Sequence, residues 1–139
     1  MKILKNQCEG WGNKVNFVDQ NNVMVGYDMS QDCCEYADWF MSYEIPKKIH
    51  YDTELQKSQQ VVIDEKILDR YVFDITKIYE IEDNSCLDDG GAIVFKLIGP
   101  GKGVKYKPLF LTLFNIQNGY YGHGFKCEIG GRTIYEGAL

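Results

Sequence analysis

At 139 residues, 45% hydrophobic and 14% aromatic, the chain carries enough apolar material for one packed core and too much to stay disordered. No apolar run reaches the roughly 20 residues that span a bilayer, and the opening Met1-Lys2-Ile3-Leu4-Lys5-Asn6 turns polar too early for a signal peptide. The formal charge of −5 excludes a broadly basic nucleic-acid binder. Residues from Ala92 onward hold six Lys or Arg against two Glu, so all the excess acid lies before them. These lysines form no dense stripe, and the pattern argues against nucleic acid. The expectation is a single domain over 1–139, cytoplasmic, with no membrane association.

In chain order, Ile3 and Leu4 open a first strand and Gly10-Trp11-Gly12-Asn13 a turn. Residues 15–18 and 23–27 are β-prone runs around Asp19-Gln20-Asn21-Asn22, which tolerates left-handed backbone and so predicts a hairpin. Residues 30–41 read two ways. Asp32 followed by Glu35 resembles a helix capping box with Tyr36, Trp39 and Phe40 on one helical face, while an extended strand competes. Pro46 ends this segment, and 47–60 is a polar loop or one short helix. Val61-Val62-Ile63 is β-prone but brief.

Phe73, Ile75, Tyr79 and Ile81 alternate with Asp74, Thr76 and Glu80, which predicts a half-buried strand. Residues 84–91 are rich in turn formers, and 92–98 resume as a strand. Gly99-Pro100-Gly101-Lys102-Gly103 then breaks the chain. It lacks the spacing of a phosphate loop, and a strand follows it rather than a helix. From 106 to 116, Leu109, Leu111 and Leu113 alternate with Phe110, Thr112 and Phe114. Both faces are largely apolar, which marks an interior strand covered on both sides. Asn118-Gly119 predicts a tight hairpin that would place the next strand, 120–129, beside it. Gly130-Gly131 turns into a last strand around 133–135. The expected fold is α+β, mainly an antiparallel twisted sheet or partly open barrel of six to eight strands, with one or two short helices.

Two motifs concentrate chemistry. Gln31-Asp32-Cys33-Cys34-Glu35 places two thiols between carboxylates. Such neighbours raise a thiol's pKa and suppress the thiolate, so buried thiols beside a capping acid compete with a metal or nucleophile reading. Five cysteines, an odd number without CxxC, predict reduced thiols and no disulfide. The second motif is Asn118-Gly119-Tyr120-Tyr121-Gly122-His123-Gly124-Phe125. Its glycines could leave the imidazole open to a ligand; alternatively, they permit a bulge, with His123 bonded to a backbone carbonyl.

Together, Tyr27-Asp28-Met29-Ser30-Gln31-Asp32-Cys33-Cys34-Glu35 and the stretch from Asn118 to Phe125, with its Asn-Gly-Tyr-Tyr-x-His-Gly hairpin, resemble a family of small uncharacterised phage and bacterial proteins, a domain of unknown function. The likeness covers 17 of 139 positions. It implies a phage or bacterial setting and suggests that the two patches lie close together in the fold.

The functional expectation is a non-enzymatic binding protein acting on a protein or small-molecule partner, such as a phage-encoded modulator of a host system. Its candidate ligand-binding residues are His123, Tyr121, Tyr120, Asp32 and Glu35. No residue set forms a catalytic signature, and no cofactor is implied. The alternative is a metal-binding protein or metal-dependent enzyme using His123 with Cys33 and Cys34 and the acids beside them. A nucleotide-binding module on the basic C-terminal half comes third.

Overall fold

A computed structural model describes residues 1–8, 12–30, 36–49, 57–82, 91–101, 105–116 and 122–139. Among them are nine strands: β1 (Lys2–Cys8), β2 (Gly12–Val18), β3 (Val23–Asp28), β4 (Tyr36–Ser42), β5 (Val72–Glu82), β6 (Gly91–Ile98), β7 (Leu109–Ile116), β8 (Gly124–Ile129) and β9 (Arg132–Ala138). They form two antiparallel sheets, a five-stranded one in the order β1-β2-β3-β8-β9 and a four-stranded one in the order β4-β7-β6-β5. Helix among the described residues is confined to 57–59 and the single turn Glu65–Leu68, capped by Asp64. The expected antiparallel strands and one or two short helices are therefore found, while so little helix meets the α+β label only in part. One twisted sheet or partly open barrel of six to eight strands gives way to two facing sheets. No helix among the described residues is long and apolar enough to cross a membrane.

The apolar pattern of β7 explains this division. β7 is buried from Leu109 to Asn115 and pairs with β4 on one side and β6 on the other, as its two apolar faces predict. The expected neighbour across Asn118-Gly119 is not there. β8 crosses to the other sheet and pairs with β3 and β9. A strand beside β7 must offer apolar side chains to both faces, as β6 does with Ala92, Ile93, Val94 and Phe95. β8 is apolar on one face only: Phe125 and Cys127 are buried, Lys126 is exposed. Such a strand fits a sheet with one wet face. Asn118-Gly119 itself lies outside the described residues.

The β2–β3 hairpin forms as predicted, with Asn22 in the left-handed region at φ 60°. Asp19, only 4% exposed, uses both carboxylate oxygens. Oδ1 accepts from the N–H groups of Asn21 (2.9 Å) and Val23 (3.0 Å), and Oδ2 from Phe73 N–H of the other sheet at 2.8 Å. The Gly130-Gly131 turn joins β8 to β9 with φ of 56° and 83°, both positive as a type I′ turn requires. For 36–42 the strand reading prevails. Pairing with β7 sends Ala37, Trp39 and Met41 toward the other sheet and Phe40 to the opposite face, so the helical face of Tyr36, Trp39 and Phe40 does not form. The capping pair Asp32 and Glu35 lies outside the described residues.

In β5 the expected alternation is interrupted. Register slips between Asp74 and Ile78, where Asp74 Oδ1 accepts from the N–H and hydroxyl of Thr76. This bulge leaves Ile75 exposed, whereas Phe73 is buried.

The sheets meet over one core. Val15, Phe17, Val25, Tyr27, Phe125 and Cys127 face Ala37, Met41, Phe95, Leu109, Leu111 and Leu113. Phe17 meets Trp39 edge-on at 4.9 Å and Phe95 meets Phe125 at 6.5 Å, each contact spanning the two sheets. The outer face of the four-stranded sheet is covered in part by Ile49, packed with Phe40, Ala92 and Phe114. There Thr112 is wholly buried, and its hydroxyl has no hydrogen-bond partner among the described residues.

Two substitutions test this core. Leu111→Ala should destabilise the fold by about 2–5 kcal/mol, because it empties a site packed from both sheets. Thr112→Val keeps the shape and removes an unpaired buried hydroxyl. It should raise stability by about 1 kcal/mol, read from urea unfolding midpoints at constant slope.

Candidate functional site

The described ends of the two chemically dense segments converge at one end of the sandwich. Tyr36, which follows 31–35, pairs with Ile116, which precedes 117–121. On the opposite sheet, β3 ends at Asp28 beside the start of β8, where Tyr27 pairs with Phe125. Of the expected site residues, His123 is described; Asp32, Cys33, Cys34, Glu35, Tyr120 and Tyr121 lie outside the described residues, and with them the expected proximity of His123 to that segment.

His123 is 5% exposed. Its Nδ1 lies 3.0 Å from the Asp28 carbonyl oxygen. A carbonyl can only accept, so Nδ1 carries a proton. The ring meets Tyr27 edge-on at 6.5 Å, and the Tyr27 hydroxyl donates to Phe114 O at 2.9 Å, tying the two sheets together. The His123 backbone extends the β8–β9 ladder: its N–H donates to Leu139 O at 2.8 Å and its carbonyl accepts from Leu139 N–H at 2.9 Å. The neighbouring glycines face the last strand. A Cβ on Gly122 would come within 3.3 Å of Ala138 Cβ, and one on Gly124 within 4.0 Å of the Gly137 carbonyl. The small size of Gly122 thus lets β9 approach closely, and of the two readings the sequence offered, the imidazole bonded to a backbone carbonyl is the one found.

Asp28 sits beside this ring. Burial pushes its carboxyl pKa up, but the hydroxyl and N–H of Ser30, with help from the charges of Lys14 and His123, more than offset that and hold it below 3.8. Among the described residues no group of three or more His, Cys, Asp or Glu side chains is arranged to hold a metal. Cys127 lies in the core, fully buried, and desolvation together with Asp19 and Glu128 pushes its thiol up to about 11.

A second surface was not anticipated. Beyond β4 the chain turns through 43–49, and 61–63 returns along the same edge, where Val61 N–H donates to Met41 O at 2.8 Å. Val61 and Ile63 pack onto the core, while Val62 between them is 100% exposed. Tyr43, Ile45 and Ile67 are exposed too. Two clefts share Tyr43. One, of about 620 Å³, runs along Ser42 to Lys48 and Gln59; the other, of about 200 Å³, lies among Val62, Ile67, Tyr71 and Lys107. The signal was present in Val61-Val62-Ile63, since alternation forces one of three adjacent apolar residues away from whatever the other two cover. What the sequence withheld was that nothing among the described residues covers the third. No family of known proteins, curated protein or solved structure matches this chain.

Two outcomes follow from the buried groups. In native protein treated with an alkylating reagent at pH 7.5, the peptide containing Cys127 should remain unmodified by mass spectrometry and become labelled only on unfolding. The depressed Asp28 pKa means its carboxylate stabilises the fold above the unfolded value of 3.8 and loses that contribution as pH falls through the lower folded value. Asp28→Asn should therefore flatten the acid limb of a stability-versus-pH curve, read from urea unfolding at each pH.

Proposed function

We propose that this protein is a non-enzymatic binding module whose partner-facing surface is the apolar face around Tyr43 and Val62. The carrying observation is Val62, a β-branched side chain left fully exposed between two residues that pack onto the core. Single exposed apolar residues are ordinary; a group of them around adjoining clefts marks an interaction surface. Here Tyr43, Ile45, Val62 and Ile67 form such a group. A phage or bacterial cytosolic setting, with a host protein as partner, accords with the family resemblance of the two sequence motifs.

The test separates binding from folding. Val62→Ser touches no core contact and should change stability by less than about 0.5 kcal/mol. Combined with Tyr43→Ala, it should abolish retention of a partner that the wild-type chain holds in a quantitative pull-down. Equal retention by wild type and double variant, with matching thermal unfolding, would sink the assignment of this face.

A further inference from the structure

We infer that the face around Tyr43 and Val62 receives an acidic peptide segment bearing apolar anchor residues, an inference that rests on the binding reading above. Four lysines line the two clefts: Lys47 and Lys48 along the larger, Lys105 and Lys107 along the smaller. Among the described residues, two carboxylates line the same clefts. Asp64 accepts the Lys66 N–H at 2.9 Å as the cap of the short helix, which leaves Glu44 as the other acid at the clefts. The described lining residues therefore carry more positive than negative charge on a chain of net charge −5. A local field opposite in sign to the whole molecule selects acidic partners and steers their approach.

The exposed aliphatic side chains specify the anchors. Ile45, Val62 and Ile67 are branched aliphatics, suited to Leu, Ile or Phe side chains, and the smaller cleft, about 200 Å³, is of the order of one large side chain. Two ammonium groups already lie over aromatic rings: Lys107 Nζ is 5.6 Å from the Tyr43 centroid and Lys105 Nζ 5.6 Å from that of Tyr106. Both lysines are exposed at the smaller cleft, which leaves their charges within reach of a carboxylate on a seated peptide. A nucleic acid would also be drawn to the lysines. Its bases need successive stacking platforms, whereas among the described cleft residues Tyr43 offers a single exposed ring, already covered by Lys107 Nζ.

The full chain, labelled with 15N, is titrated with four probes. They are a 12-residue peptide alternating Asp and Glu with Leu and Phe, the same peptide with Asn and Gln for the acids, the same with Lys for the acids, and a ten-nucleotide thymidine strand. The acidic peptide should shift the amides of Tyr43, Val62, Ile67, Lys105 and Lys107, and bind about tenfold or more tightly than the neutral one at low salt. Lys105→Glu with Lys107→Glu should cancel that preference, and Lys105→Gln with Lys107→Gln should halve it or more, with well-dispersed spectra showing that each variant is folded. If the neutral peptide binds this face as tightly as the acidic one, the acidic preference is overturned while the docking face stands. If the Lys peptide or the thymidine strand takes the face instead, the partner class is wrong. If no peptide shifts these amides, both the inference and the binding reading fall.

Discussion

A strand that is apolar on both faces has to be covered twice, and the rest of the molecule is arranged around that requirement for β7. Its Leu109, Leu111 and Leu113 demand an opposing layer, which the five-stranded sheet supplies through Val15, Phe17, Val25, Phe125 and Cys127. Its Phe110, Thr112 and Phe114 point the other way and are also buried, Phe114 in part beneath Ile49. Only strands able to serve both faces can flank it, so β4 and β6 do. At roughly 25 cal/mol per Å² of apolar surface removed from water, burying β7 on two sides outweighs any preference for keeping neighbours in sequence as neighbours in space.

Polar contacts then set the registration of the two layers. Asp19 reaches from the β2–β3 turn to the backbone of Phe73, Tyr27 reaches the Phe114 carbonyl toward the opposite end, and Tyr135 donates to Glu80 at 2.6 Å along the side. Each satisfies a backbone or carboxylate group that would otherwise be costly to bury or would be left to water. Three pins at separated points resist both sliding and rotation of one sheet on the other, which a greasy interface alone does not.

The same accounting separates the two chemically interesting regions. His123 is held by its backbone, by Nδ1 and by the Tyr27 ring, so its burial already has a structural explanation in the closing of the β8–β9 ladder. Val62 has no such explanation. The segment that carries it is fastened by Val61 and Ile63, and alternation leaves the middle side chain facing away from the core. An apolar side chain left in water gains nothing for the isolated fold, and that asymmetry directs attention to the face around it.

How much could be read without the fold varies by element, for identifiable reasons. Turns built on left-handed residues were legible, because Asn22, Gly130 and Gly131 act locally on the backbone. The interior position of β7 was legible too, since two-sided burial writes a two-sided apolar pattern. Segment 36–42 was ambiguous because Tyr36, Trp39 and Phe40 satisfy a helical face as readily as a strand; pairing with β7 decided it. Ile75 looked like part of an alternating face, but three residues bulge out of β5, and a slip of register is invisible in hydrophobicity alone. Of the candidate site, the sequence determined which residues carry chemistry, and it marked His123 and the Gln-Asp-Cys-Cys-Glu segment through local composition. Whether a side chain is covered depends on residues far away in the chain. Only the tertiary structure could bury His123 against Asp28, send β8 to the other sheet, and leave Val62 exposed beside Lys105 and Lys107 from a distant stretch.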